Sequence, residues 1–290
     1  MDEVVAAVVG MLRACTTQLA AGAPALLSLT AATLRRLVNE CPEAILPLVA
    51  HDGVHALVSA LARGSDRREP RCSADLMQCM ADAAARSSGV QAALRDAGVL
   101  TSVAYYLLPS GDPLCQIAAA TLLQALCRGL GGMGMRLDPD SLPASASAAA
   151  QPSPELTSHN SDLVRQTGGL QALVKLACHT ASSSSGTAPS TTLSSTGSAS
   201  SSSSSRATPP GLSAAAGTAG EAEVREVVLR SLTTLLEWPQ MRTAIIPHLG
   251  ELLSTRAPEL QSLAMDVMKS AAASSHAHSS SSSGGGGGGD

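Results

Sequence analysis

Seven cysteines, one arginine-rich loop and one pair of histidines are the residues of this chain whose types could perform chemistry. The thiols could bind a metal, but they are spread singly, without a C-x-x-C pair. Cys72 and Cys79, seven residues apart, have no histidine at zinc-ligand spacing beside them. We therefore expect reduced thiols in the core and no metal site. The cysteines are Cys15, Cys41, Cys72, Cys79, Cys115, Cys127 and Cys178.

Enzymatic motifs are not recognisable in the sequence. It contains neither G-x-x-x-x-G-K-[ST] nor G-x-S-x-G, and Gly129-Leu-Gly-Gly-Met-Gly134 lacks the preceding strand that a phosphate loop requires. His276-Ala-His278 lies in a Ser/Gly-rich tail, so we interpret it as a compositional accident. We predict a protein that is not an enzyme and needs no cofactor.

Charge gives little reason to expect a polyanionic ligand. The net charge is -4, and the loop Arg63–Arg71 offsets its four arginines with two acids and has no aromatic residue to stack on bases. No stretch approaches the ~20 apolar residues of a membrane span, and the amino terminus lacks the basic region of a signal peptide. We expect no nucleic-acid or membrane partner and a cytoplasmic location, with the nucleus or a cilium as alternatives.

The elements that position these residues must be helical. Hydrophobic residues make up 44% of the 290, without any Phe and with one Trp and two Tyr. Leu, Ala and Met dominate the apolar set together with Val, and the first three favour helix. The composition therefore predicts an all-α protein with an aliphatic core.

One helical unit recurs along the chain. Gly53, Gly98 and Gly169 each open a stretch with apolar residues at helical spacing, and a weaker copy begins at Ile246. The first two glycines are 45 residues apart; the next intervals fall to about 41 residues once low-complexity segments are subtracted. Each unit is expected to hold three helices, several of them with Pro in the first turn, and Asp112 is the expected N-cap of one.

Low-complexity segments interrupt the units. Ser, Gly and Pro dominate them, and such compositions bury too little apolar surface to offset the entropy of ordering. We predict repeat helices in residues 1–128, 159–180 and 221–273, disordered insertions in residues 129–158 and 181–220, and a disordered tail in residues 274–290.

The unit resembles the armadillo repeat, in which a short helix ending in Gly precedes G-x-x-x-L-V-x-L-L and A-L-x-N-L-A helices. The third-helix motif matches loosely at Thr33–Val38, Met77–Ala81, Leu123–Cys127, Ser231–Leu236 and Ala264–Lys269. The last step, from Leu232 to Met265, is 33 residues and nearer to a HEAT-like unit. The resemblance implies a right-handed α-solenoid of about four to five armadillo/HEAT-like repeats, whose third helices line a concave groove.

The groove is where the family binds protein partners. Its Asn ladder, which in proteins similar to importin-alpha pairs with an extended peptide, is absent: the ladder positions are Arg36, Cys79, Ala125, Thr234 and Val267. A partner that docks by an apolar helix or a folded surface is therefore easier to accommodate. The candidate groove residues are Arg35, Arg36, Asn39, Gln78, Gln124, Thr234 and Glu237.

Other interpretations stay open. Arg35, Arg36 and Asn39 could instead compensate a helix dipole, and the other candidates could lie on exposed faces without a ligand. The expected function is a non-enzymatic adaptor or scaffold. Alternatives are a nucleotide-exchange co-chaperone of a heat-shock ATPase, or a fragment of a ciliary or centriolar armadillo scaffold. The sequence identifies neither the partner nor the oligomeric state.

Overall fold

The computed structural model describes residues 1–17, 23–66, 70–109, 111–127, 160, 162–184 and 212–279. These residues form helices and turns, and no strand occurs among them. The all-α prediction is therefore confirmed. The predicted insertion at 129–158 lies outside the described residues, as do 185–211 of the second insertion and 280–290 of the tail.

The helices follow one another with short connections. A short helical segment at 162–166 precedes α9. The labelled elements are α1 (Asp2–Thr17), α2 (Ala23–Glu40), a 3₁₀ turn (Pro42–Ala44), α3 (Ile45–Ala50), α4 (Gly53–Asp66), α5 (Pro70–Ala84), α6 (Ser88–Asp96), α7 (Val99–Tyr106), α8 (Pro113–Cys127), α9 (Gly169–Ser184), α10 (Leu212–Leu235), α11 (Pro239–Ile245), a second 3₁₀ turn (Ile246–His248), α12 (Leu249–Ser254) and α13 (Pro258–Ser279).

Proline and capping residues begin several of these helices as predicted. Pro70, Pro113 and Pro258 are the first residues of α5, α8 and α13, where the missing amide hydrogen would have had no intrahelical acceptor. Asp112 caps α8, because its Oδ1 accepts a hydrogen bond from the backbone N–H of Leu114 at 2.9 Å. Local sequence signals therefore determine where these helices start.

Three predicted boundaries need correction. Residues 181–184 and 212–220, predicted to lie in the disordered insertion, belong to α9 and α10, and 274–279 of the predicted tail belong to α13. Alanines at 214–216 and 271–273 explain part of the difference, since Ala extends a helix at little cost. Within residues 221–273, α11 and α12 are separate helices, because the 3₁₀ turn that contains Pro247 lies between them.

The same backbone turn recurs before three helices. Asp52 (φ 56°), Gly98 (φ 74°) and Gly168 (φ 76°) adopt the left-handed conformation immediately before α4, α7 and α9. Gly and Asp are among the residues that tolerate it best. The structurally equivalent positions are therefore Asp52, Gly98 and Gly168. The sequence alignment on Gly53, Gly98 and Gly169 paired Gly98 with the residue that follows the equivalent one in the first and third stretches.

Close packing accompanies this turn. Four residues before each left-handed position lies a buried apolar side chain, namely Leu48, Leu94 or Val164. A Cβ on Gly53 would come within 2.5 Å of Leu48 Cδ1, and one on Gly169 within 3.2 Å of Val164 Cγ1. Close contact therefore requires glycine at position 53, where a Cβ would also lie 2.9 Å from the Leu48 carbonyl oxygen, and it leaves little room at Gly169. Gly98 is favoured by its backbone angle.

A row of neighbouring helices forms the centre of the fold. Helix α2 packs on α5, α5 on α8, and α8 on α10, and each of these four is covered by one further helix, α1, α4, α7 or α9 respectively. One apolar core runs continuously from Val5 to Val267. We call α2, α5, α8 and α10 the helix row; it positions the candidate site.

Candidate protein-binding surface

Three of the predicted groove residues meet around a carboxylate that the sequence analysis did not name. Asp82 on α5 accepts hydrogen bonds from Arg35 Nε at 2.6 Å, Asn39 Nδ2 at 3.1 Å and Gln78 Nε2 at 3.2 Å. The Asn39 amide oxygen accepts a further bond from Arg86 at 3.1 Å. We call these five residues the Asp82 network. They join α2 to α5 across the helix row.

Arg35 and Arg36 form ion pairs with different acidic residues. The Arg35 guanidinium reaches across to α5 and pairs with Asp82, so its charge is neutralised within the chain. Arg36 points elsewhere and pairs with Glu40 one turn later. This hydrogen bond raises the pKa of Arg36. Such an exposed pair adds little to stability.

The remaining candidates lie at the other end of the row. Gln124 Nε2 on α8 donates to Thr234 Oγ1 on α10 at 3.1 Å, and both side chains are buried. Ser231 Oγ also donates to the carbonyl of Ala120 at 3.1 Å. Glu237 lies exposed in the turn that follows α10. The seam between α8 and α10 is thus closed by its own hydrogen bonds.

The supposed ladder positions do not share one surface. Cys79 is fully buried, and Ala125 and Val267 are nearly so, while Arg36 is exposed. The loose motif match therefore placed the ladder on the wrong side of α5. The half-buried polar residues of α5 are Asp75, Gln78 and Asp82.

The sequence analysis missed both carboxylates of α5, although a signal was present. The pairs Ser28–Asp75, Arg35–Asp82 and Asn39–Arg86 are each separated by 47 residues. A constant separation between polar residues on two adjacent helices is the pattern that side-by-side packing would produce. It can be recognised only once the offset between the helices is known.

An open cleft lies between α2 and α5, beyond the Asp82 network. Its volume is about 570 Å³. Ser28, Leu29 and Ala32 line the α2 side, and Arg71, Cys72 and Asp75 line the α5 side. The Ser28 hydroxyl donates a hydrogen bond to Asp75.

The thiols are poorly suited to nucleophilic chemistry. Burial raises the pKa of Cys79 to about 12, assisted by the negative charge of Asp82, and burial likewise raises the pKa of Cys115 to about 12. The pKa of Cys178 is also raised by burial. All seven cysteines are free thiols. The raised pKa keeps the thiols of Cys79, Cys115 and Cys178 protonated near neutral pH, so they act as small apolar side chains.

The described ranges contain neither a metal-binding cluster nor a single membrane-spanning helix. No group of three or more His, Cys, Asp and Glu residues in them could hold a metal ion. No single helix there has both the length and the apolar composition to cross a membrane. Pro42–Ala50 and Gly53–Arg63, bent by 78° at their break, meet that test only as a pair.

Comparison with known proteins gives no family. No protein-family model matches the chain, and no curated protein matches it. Among solved structures, the chain is similar to an engineered protein of the Northeast Structural Genomics Consortium, with 18% sequence identity and a TM-score of 0.47. The match covers 91% of this chain and 95% of the engineered protein. This likeness assigns no function.

Proposed function

We propose that this chain is an armadillo-type α-solenoid that binds a protein partner through the exposed side of the helix row, as a non-enzymatic adaptor or scaffold. The observation that carries the proposal is the succession of α2, α5, α8 and α10, each packed on the next. The recurring left-handed turn before α4, α7 and α9 supports it. A stack of such units buries each unit against its neighbour and leaves a long continuous face for a partner.

The row would present that face with little loss of conformational freedom on binding. The Asp82 network holds α2 against α5, and Gln124 with Thr234 holds α8 against α10. Side chains that are already ordered lose less entropy when a partner docks. A rigid row is therefore suited to recognition rather than to a reaction that requires motion.

The row is better suited to contact the side chains of a partner than to hydrogen-bond the backbone of an extended peptide. An extended peptide needs free amide groups along the groove, but Asn39 and Gln78 already bond within the Asp82 network and Gln124 bonds to Thr234. Leu26 and Leu29 on α2 are instead 53% and 64% exposed. We infer a partner that docks through an apolar helix or a folded surface that carries apolar side chains.

Site-specific photo-cross-linking tests the proposal. A benzophenone amino acid would replace Ala32, Leu114 or Thr233, which are exposed on α2, α8 and α10. Matched controls would carry it at Ser59, Thr101 or Lys175, exposed on the covering helices α4, α7 and α9. In extract from cells that express the protein, we expect one protein to be cross-linked from the row positions and not from the controls. Equal or stronger cross-linking from the control positions would overturn the proposal.

A further inference from the structure

Two carboxylates on α5 occupy equivalent settings but are satisfied differently. Asp75 and Asp82 are seven residues apart, which places them on the same face of the helix two turns from each other. Each faces the residue of α2 that lies 47 positions earlier, Ser28 or Arg35. Asp82 receives a cation and two amides, whereas Asp75 receives one neutral hydroxyl. Among the described residues, Asp75 has no ion-pair partner.

A half-buried carboxylate without a cation is an incomplete site. Partial burial removes some of its hydration, and a single hydroxyl does not replace the charge-assisted bonds that Asp82 has. The cleft in front of Asp75 is open, with about 570 Å³ of space. A cationic side chain from outside the chain could therefore reach Asp75.

The walls of the cleft match the stem of such a side chain. Leu29 and Ala32 form an apolar wall beside Asp75, and Leu26 lies exposed on the same helix. Lysine and arginine carry three or four methylene groups behind their charged heads, and these stems pack on apolar surface while the head finds an anion. The cleft therefore places an apolar wall for the stem beside an anion for the charged head.

Resting on the proposed function, we propose that the cleft between α2 and α5 binds one lysine or arginine side chain of the protein partner. The head of that side chain bonds to Asp75, its stem lies along Leu29 and Ala32, and an apolar neighbour in the partner covers Leu26. The subsite thus makes the apolar row selective for a segment in which a basic residue is flanked by an apolar one.

Arg71 limits the subsite to a single cation. It lies at the same cleft, four residues before Asp75 on α5, and forms no ion pair with another described residue. A second basic residue of the partner would meet its positive charge, while an acidic one would be attracted. The preferred segment therefore carries one basic residue rather than a basic run.

Nuclear magnetic resonance titration of the full chain with capped tripeptides tests the subsite. The probes are acetyl-Leu-Lys-Leu-amide and acetyl-Leu-norleucine-Leu-amide, which differ by the ammonium group at nearly constant shape. We expect amide shifts at Ser28, Leu29 and Asp75, with binding about fivefold tighter for the lysine peptide. Asp75→Asn should remove this preference. Glu43→Gln, an equal change of charge at an exposed site outside the cleft, should keep it.

Several results of the titration would overturn the proposed lysine or arginine subsite. Equal affinity for the two peptides, absence of binding, or an unchanged preference in Asp75→Asn would overturn it. A preference that arises only in Arg71→Ala would show that Arg71 itself occupies Asp75, and would also overturn it. If the tripeptides fail while the row positions Leu114 and Thr233 still cross-link a partner, the subsite is wrong and the proposed function stands. Loss of cross-linking at all row positions removes the proposed function itself.

Discussion

The α2–α5 seam and the α8–α10 seam both join neighbouring helices of the row, but the side chains that form them differ in polarity. Long polar side chains around Asp82 cross the first seam, and a cleft opens beside it. The second seam is mostly apolar, and its polar groups, Gln124 and Thr234, are buried and bonded to each other. A ligand could enter the first seam without breaking a buried contact, but not the second.

Helix α8 is also held at its end. Three successive carbonyls, those of Ala125, Leu126 and Cys127, each accept a side-chain N–H, from Gln91 at 3.1 Å, Asn160 at 2.9 Å and Trp238 at 3.1 Å respectively. The last carbonyls of a helix have no intrahelical partner, so these bonds replace water where the helix is buried. Stability should therefore depend mainly on α8, whereas the more open α2–α5 seam is where we propose that recognition occurs.

Removing a buried leucine from α8 should have the largest effect. Leu123 is 1% exposed, and Leu123→Ala should lower the free energy of unfolding by about 2–5 kcal/mol because the deletion leaves a cavity. Leu29→Ala, on the cleft wall and 64% exposed, should change it by less than about 0.5 kcal/mol. Guanidinium unfolding followed by circular dichroism at 222 nm measures both. Similar losses in the two variants would contradict the division of roles.

Alkaline pH should weaken the core through two thiols, Cys79 on α5 and Cys115 on α8. Their pKa is raised to about 12 by burial, from an ordinary value of 9.0. The folded chain therefore keeps both protons above pH 9 while the unfolded chain releases them, so this stability is full below pH 9 and declines as the pH rises toward 12. The slope should approach about 1.4 kcal/mol per pH unit for each thiol.

Denaturation at pH 8, 9.5 and 10.5 measures that decline. The variant with both Cys79→Ala and Cys115→Ala should be less stable at pH 8, because two buried side chains are shortened, but its free energy of unfolding should fall less steeply with pH. Cys41→Ala, which removes a partly exposed thiol, serves as the matched control. The same slope in all three proteins would mean that other groups control the alkaline transition.

Losing the cap that Trp238 gives to α8 should cost less. Trp238→Phe keeps most of the apolar ring but removes the N–H that bonds to the carbonyl of Cys127. We expect a loss of about 1 kcal/mol in the free energy of unfolding, the typical net value of one hydrogen bond. Since Trp238 is the only tryptophan, unfolding of the variant must be followed by circular dichroism rather than by fluorescence. A loss below about 0.3 kcal/mol would show that the carbonyl is satisfied without the indole.

The sequence predicted the helices well and the contacts between them poorly, for a physical reason. Helix starts depend on local groups such as Pro70 and the cap Asp112, which can be recognised without knowledge of the fold. The partners Gln124 and Thr234 are 110 residues apart, and only packing decides that they meet. The same holds for Asp82, because an acid at the end of a helical pattern looks like an ordinary exposed residue until α2 is placed beside it.

The candidate surface could be predicted in part for the same reason. Arg35, Asn39 and Gln78 were recognised as polar residues on helices of one type, and the structure brings them together. Their mutual bonding was not predictable, since it requires the 47-residue offset between α2 and α5. The shift of the ladder to the buried Cys79 has a similar origin: an aliphatic motif fits α5 at more than one rotation about its axis.

The smallest expected effect distinguishes the two carboxylates of α5 directly. Asp82→Asn weakens the pairing with Arg35 and replaces one acceptor oxygen of the network by a donor, so we expect a loss of about 0.5–1 kcal/mol in the free energy of unfolding. Asp75→Asn should change it by less than about 0.5 kcal/mol, because Ser28 can still donate to the amide oxygen. Urea unfolding, which leaves ionic strength low, measures both variants.

Added salt should affect the stability losses of Asp82→Asn and Asp75→Asn differently. The Arg35 side chain is 44% exposed, so its attraction to Asp82 is partly screened by ions, and the loss in Asp82→Asn should shrink when about 0.5 M sodium chloride is added. The value for Asp75→Asn should respond much less, since Arg71 shares the cleft with Asp75 but forms no ion pair with it. A salt-dependent loss in Asp75→Asn would instead mean that Asp75 already has a cationic partner within the chain, and the cleft would then have no unpaired charge to offer.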